Sequence, residues 1–307
     1  MRRGEGSASR SSRSPVPRPA VVLAGALLLA LVVAGCGSQS TSHATFNWNA
    51  FTSSIFSPDH LIIGGLELTV IISVISQAIG VILGIFLALA RMAKAAPLRW
   101  IASIYIWVFR GTPLLVQLVF FYFGVGAVHL WGWDPITILG FTIPGAIQAG
   151  IFVLGANEGA YMSEIVRAGI ISIDPGQMEA AKSLGMTYGQ AMRRIVLPQA
   201  ARVIIPPLGN EFNNMLKTTS LLFVLGIQEL YETFVIKQGQ NYLPFEMYLA
   251  CALWFLLLTT IWGFIQARIE RQFAKGAPGA TTGGPGLRQR LFGMRQPVEP
   301  SLVSGGR

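Results

Sequence analysis

The stretch DPGQMEAAKSLGMTYGQAMRRIVLP, residues 174–198, decides how the rest of the chain is read. It opens as a helix. Asp174 stands at an N-cap position, Pro175 fits the first helical position, and Gln177 is placed to close a box onto the cap amide. The helix continues through Glu179, Ala180, Ala181 and Lys182 to Leu184, where Gly185 can take a positive φ and stop it. Thr187-Tyr188-Gly189-Gln190 is a second capping box. A second helix follows from Ala191 to Val196, and Pro198 limits it. The segment is therefore two short helices meeting at a glycine. The small, flat Ala180–Ala181 face lets another surface approach the backbone closely. By shape this is a docking element; an amphipathic helix resting on lipid headgroups is the other reading of the same pattern.

Most of the chain outside this elbow is apolar. Of 307 residues, 52% are hydrophobic and 12% charged, against about 25% charged in a typical soluble domain. That composition excludes a soluble enzyme, a disordered chain and a coiled coil, and places the protein in a bilayer. The net charge of +9 does not imply nucleic acid, because no basic stripe with interleaved aromatics occurs. His43, His60 and His129 are scattered, and Cys36 and Cys251 have no metal-ligand spacing, so neither metal nor cofactor is expected on this chain. Cys251, inside an apolar run, reads as a small buried hydrophobe.

The apolar runs and the basic loops between them set the organisation. Residues 1–19 are basic and read as disordered. Residues 20–35 are an unbroken apolar run of roughly 24 Å, short of the ~30 Å hydrocarbon core, and suit a signal-like segment or an anchor. The run ends in Val-Val-Ala-Gly-Cys36, which resembles a lipoprotein processing box, so Cys36 is a candidate lipidation site. Residues 37–60 read as an external linker. Five spans are then expected, at about 61–90, 113–130, 138–161, 203–226 and 244–266, with an amphipathic stretch at 98–110 and a disordered tail over 268–307. Lys and Arg number four in the 91–112 loop, five in 163–202 and seven beyond 266, against none in 37–60 and 127–139 and one in 227–243. The positive-inside rule then puts the first loop, the 163–202 loop and the C-terminus in the cytoplasm. The fold expected is an all-α membrane protein with its transmembrane domain over 61–267.

The fourth span is unusually polar. Ionisable groups cost about 2.5–3.5 kcal/mol each at the bilayer centre, so its Glu211 and Lys217 should face protein or water. Asn210, Asn214 and Lys217 share a helical face at spacings of four and three, and Glu211 neighbours Asn214. With Thr218 and Ser220 they are candidates to line a polar path through the membrane; a packing network between helices or subunits, or a position at the helix end, is the alternative. Glu164 and Arg167 read as an i, i+3 ion pair. Arg110, beside Gly111-Thr112-Pro113, marks a cytoplasmic interface. Glu67, Glu158 and Glu246 are read as lying near span ends and are given no role.

Glu179-Ala180-Ala181, then three residues, Gly185, then nine residues and Ile195-Val196-Leu197-Pro198, resemble the coupling loop of binding-protein-dependent ABC importer permeases. YIWVFRGTPLLVQ (105–117), GAYMSEIVR (159–167), LPQAARVIIP (197–206), Asn210-Glu211 and KTTSL (217–221) resemble the polar amino-acid subfamily, for histidine, glutamine, glutamate or arginine. The resemblance covers about 61–275 and departs at both ends. Thr218 stands where relatives often have Asp. It implies that Glu179, Ala180, Ala181, Gly185, Ile195, Leu197 and Pro198 couple to a separate cytoplasmic ATPase dimer, which uses ATP-Mg. It also implies a second permease copy or a sister permease, and an external amino-acid-binding protein. No GxxxxGK[ST] phosphate loop occurs in the chain, so it is not expected to hydrolyse ATP itself. A secondary amino-acid transporter driven by an ion gradient is the alternative. It predicts inverted repeats, and none is seen. A lipid-anchored scaffold would account for Cys36 but not for the polar fourth span.

Overall fold

The computed structural model describes residues 45–138 and 140–274. The basic start, the signal-like segment with Cys36, and the tail beyond 274 lie outside the described residues.

Helix α1 (Trp48–Phe56) stands within the expected linker. Asn47 caps it, accepting from the Ala50 amide, and it is tied to the last helix by Trp254 Nε1 donating to the Ser54 carbonyl at 3.0 Å. Helix α2 (His60–Met92) begins at the Asp59 cap, whose carboxylate accepts from the Ile62 amide at 3.1 Å. Its 33 residues reach about 50 Å, beyond the hydrocarbon core at one end at least.

The main packing in the molecule is α2 against α5 (Gly145–Ile171). Apart from Ile62 and Ile72, the buried face of α2 is small or polar: Gly65, Thr69, Ser73, Ser76, Gln77, Gly80, Gly84 and Ala88. On α5 the matching positions are Gly155 and Gly159. A Cβ on Gly80 would stand 2.5 Å from Glu158 Cγ, and one on Gly84 would overlap Met162 Cβ. A Cβ on Gly159 would stand 2.8 Å from Leu83 Cδ2. The two backbones therefore pack through small-xxx-small stripes, the usual device where lipid removes the hydrophobic drive for helix association.

Helix α3 (Ala96–Gly111) meets α4 (Leu114–Ala127) at a bend of 106° across Thr112-Pro113. The expected third span does not start at 138. Residues Ile136–Ile138 and Phe141–Ile143 form a short antiparallel hairpin, and α5 starts only at Gly145, where the Trp133 carbonyl leaves no room for a side chain. The Ile-Thr-Ile and Phe-Thr-Ile triplets alternate with period two and are β-branched or aromatic, which suits a strand. The architecture is thus mostly helical rather than wholly so.

After α6 (Pro175–Ser183) and α7 (Tyr188–Ala191), a π turn at Met192–Val196 leads directly into α8 (Leu197–Thr218). Pro198 does not end the helix as expected. Its missing N–H is absorbed where the chain has already switched bonding pattern in the π turn. A 3₁₀ segment, Thr219–Leu225, ends at Gly226 with φ +70°. The expected 227–243 loop contains α9 (Leu230–Asn241), capped by Glu229 accepting from the Tyr231 and Glu232 amides. Helix α10 (Pro244–Ala274) runs past the expected end at 266. Among the described residues two helices, α2 and α10, are long and apolar enough to span; counting each bent pair as one span gives up to four.

Candidate functional site

The elbow forms as its caps dictate. Asp174 Oδ1 accepts from the Gly176 amide at 2.8 Å, although the Gln177 side chain does not close the box. Gly185 takes φ +80°. Thr187 and Gln190 complete the second capping box in both directions. The exposure pattern differs from the flat-face expectation. Ala180 and Glu179 are exposed, but Ala181 is turned inward, 1% exposed, with Ala191 buried beside the same junction. Instead Leu184 and Tyr188, on either side of Gly185, stand out at 82% and 61% exposed. Sequence reasoning missed this apolar knob, although its position flanking the positive-φ glycine was the available signal. Leu197 and Pro198 are exposed and Ile195 half-buried. Behind the elbow, Val196 and Ala200 join Ala88 of α2 and Val166 and Ile170 of α5 in one buried cluster. The base of the elbow is thereby packed against α2, α5 and α8 together.

A second site is a cavity of about 440 Å³ lined by Leu114 of α4, Asn157, Glu158 and Tyr161 of α5, and Glu211, Asn214 and Thr218 of α8, among others. Three of the six proposed path residues, Glu211, Asn214 and Thr218, meet here. Asn210 does not: its Oδ1 accepts from Gln266 Nε2 of α10 at 3.1 Å, in a network in which Gln266 also bonds the Pro206 carbonyl and Trp262 bonds the Gly209 carbonyl. Lys217 is exposed, and Ser220 Oγ bonds the Lys217 carbonyl instead. The cavity face of α8 is thus 211, 214, 215 and 218, rotated from the face expected around 210 and 217.

Glu158, to which no role was given, is the principal addition. It is buried, accepts from Gln77 Nε2 at 2.9 Å, and shares the cavity with Glu211. Glu211 has no ion pair among the described residues. Among the described residues no Lys or Arg lines the cavity. Two carboxylates facing one space without a cation between them make an acidic site, suited to a positively charged group.

At the elbow end of α5, Glu164 gathers three guanidiniums, from Arg91 of α2, Arg167 of α5 and Arg110 of the α3–α4 bend. The expected Glu164–Arg167 pair is present at 3.0 Å. The bend itself is pinned to the cavity wall. Asn157 Nδ2 and Gln117 Nε2 both donate to the Phe109 carbonyl, at 3.1 and 2.8 Å, and Arg110 lies 5.2 Å over the Tyr161 ring.

A model of the family described as binding-protein-dependent transport system inner membrane component matches residues 80–275. The chain is 37% identical to the arginine transport system permease protein ArgU of Corynebacterium glutamicum, over 86% of this chain and 83% of that one. It is 38% identical to the arginine transport system permease protein ArtQ of Bacillus subtilis, over 69% and 91% of the two chains. A solved structure described as an amino acid ABC transporter with histidines superposes with a TM-score of 0.64 at 39% identity, covering 74% of this chain and 99% of that one.

Proposed function

Because the chain belongs to the binding-protein-dependent transport system inner membrane component family, we propose how it works as a permease subunit of an amino-acid ABC importer. The 174–198 elbow is the docking point for a cytoplasmic ATPase dimer. Leu184 and Tyr188 provide the apolar knob, and Glu179, Ala180 and Gly185 provide its rim and shape. ATP-Mg is bound and hydrolysed by that partner, not by this chain. Closure of the ATPases moves the elbow, and the buried cluster of Ala88, Val166, Ile170, Val196 and Ala200 carries the movement into the helices around the cavity. The subunit then shifts between inward-open and outward-open states, since ATP binding favours one over the other. A second permease copy or a sister permease completes the path, and an external binding protein delivers the solute. The chain crosses the cell membrane several times, with five core spans and a cytoplasmic C-terminus.

The cavity chemistry narrows the solute to a cationic one. Glu158 and Glu211 offer two acceptors for a guanidinium or ammonium, and Asn157, Asn214 and Thr218 offer neutral polar groups. The names of the two arginine-transport relatives agree with this reading. The gradient-driven alternative is not favoured, since the matching family is a binding-protein-dependent transport component and the 39%-identical solved structure is described as an amino acid ABC transporter.

The observation that carries the proposal is the elbow, exposed at its tip and buried at its base. The test is copurification from native membranes after mild solubilisation. Wild type should bring down an ATPase subunit. Leu184→Asp should lower its recovery about tenfold, the loss of a central apolar anchor at an interface, with the permease still monodisperse. A folded, monodisperse wild type free of any ATPase would overturn the importer reading.

A further inference from the structure

The acidic cavity accounts for the cationic end of an amino acid but leaves its α-carboxylate without a partner: no Lys or Arg among the described residues lines the space. One guanidinium is placed to supply it. We propose that Arg110, at the α3–α4 bend, is the specificity-determining group that takes the substrate's α-carboxylate on the elbow side of the cavity. This inference rests on the amino-acid cavity read above.

Three observations place it there. First, Arg110 is surplus to its own ion-pair cluster. Glu164 is held by Arg91 and by Arg167 at 3.0 Å, while Arg110 stands at 3.7 Å and makes no hydrogen bond among the described residues. Three guanidiniums around one carboxylate leave net positive charge and unused forked donors, the geometry that suits a carboxylate. Second, Arg110 rests over Tyr161, and Tyr161 itself lines the cavity, so one side chain separates the guanidinium from the solute space. Third, the spacing fits. Tyr161 and Glu164 lie three and six residues beyond Glu158 on α5, about 4.5 and 9 Å along the axis. A guanidinium held between them stands roughly one to two turns of α5 beyond Glu158, the scale of an extended basic amino acid. The Asn157 and Gln117 bonds to the Phe109 carbonyl fix the bend that presents it.

The test is direct ligand binding to the solubilised full importer without its binding protein, with two probes, L-arginine and agmatine. Agmatine keeps both cationic groups and lacks the carboxylate. Wild type should prefer L-arginine about tenfold or more, the scale of one charge-assisted hydrogen-bonded contact. Arg110→Gln should abolish that preference while leaving agmatine affinity near wild type, and Arg110→Lys should restore part of it. Glu158→Gln should weaken both probes together. Glu164→Gln, which loosens the cluster but keeps Arg110, should retain the preference; if it loses the preference as Arg110→Gln does, Arg110 is merely structural and the inference falls. Binding with undiminished preference in folded Arg110→Gln overturns this inference alone. No amino-acid binding by wild type overturns the cavity reading and this inference with it.

Discussion

Asp59 illustrates how single residues hold the helical ends of this molecule in place. It caps α2 and pairs with Lys237 of α9. Burial works against the carboxylate, but the Lys237 ammonium and the Ile62 amide outweigh it and hold its pKa below the usual carboxylate value. A folded-state pKa below the unfolded one gives stability that is present above the ordinary carboxylate range and is lost as pH falls through the folded value. Because Asp59 is 41% exposed, the pair contributes no more than about 1 kcal/mol. Thermal unfolding of the detergent-solubilised protein should therefore show Asp59→Asn less stable than wild type near neutrality, with the two converging in the acid range below about pH 4. A gap that persists unchanged in acid would show that capping geometry, not charge, is what matters. At this scale the sequence was partly legible. The i, i+3 and i+4 arithmetic put Glu211 beside Asn214, and both line the cavity, but it also grouped Asn210 and Lys217 with Asn214 and did not say which face meets the cavity. That depends on where Gln266 and Trp262 of α10 lie, and no local pattern in α8 encodes it. Glu158 was passed over for a related reason. With a span expected over 138–161 it stood near an end; once the hairpin takes residues 136–143, the same residue falls at the middle of Gly145–Ile171.

At the scale of elements, the α2–α5 contact is the feature most sensitive to a single atom. Gly84→Ala would drive a methyl into Met162 Cβ and the Ser163 amide. Overpacking of this kind costs typically 1–3 kcal/mol, roughly. Gly64, one turn from the helix start, has nothing within 4 Å of a Cβ, so Gly64→Ala should be neutral or slightly stabilising through helix propensity. Melting temperatures of the two variants in one detergent should separate clearly; equal values would mean that α2 and α5 are held by something other than their small-residue stripes. The elbow was the most legible element, because its signals are local: an Asp-Pro start, a positive-φ glycine and a Thr-x-x-Gln box. The misjudged boundaries share a different cause. Pro198 reads as a stop only if the helix before it keeps i→i−4 bonding, and the π turn at Met192–Val196 removes that condition. Helix α9 was hidden because Glu229, not one of the strong N-cap residues, caps it, with Thr69 of α2 bonding both the Leu230 amide and the Glu229 carboxylate.

For the whole molecule, the question is what covers α8. Asn214 and Lys217 are exposed on it, and Glu211 is only half-buried. Ionisable groups at membrane depth cost about 2.5–3.5 kcal/mol each against lipid on insertion scales, so this face requires water or protein rather than acyl chains. The surfaces of α3 and α10 behave oppositely. Trp100, Ile101 and Trp107 of α3, and Leu256 and Phe264 of α10, are all more than half exposed and apolar, as a lipid-facing surface should be. One chain thus presents a lipid-compatible flank and a polar flank that lipid would penalise. The polar flank is met if a second permease chain faces it across a shared aqueous path, which is how the cavity lined by Glu158 and Glu211 becomes part of a closed route. Two permease chains per complex are therefore expected by native mass measurement. Lys217→Cys, in an otherwise functional background, should crosslink to the facing chain rather than label from lipid with an apolar maleimide. A complex carrying a single permease chain, or ready labelling of that cysteine from the acyl phase, would mean that α8 turns its polar face elsewhere and that the path is not built between two chains.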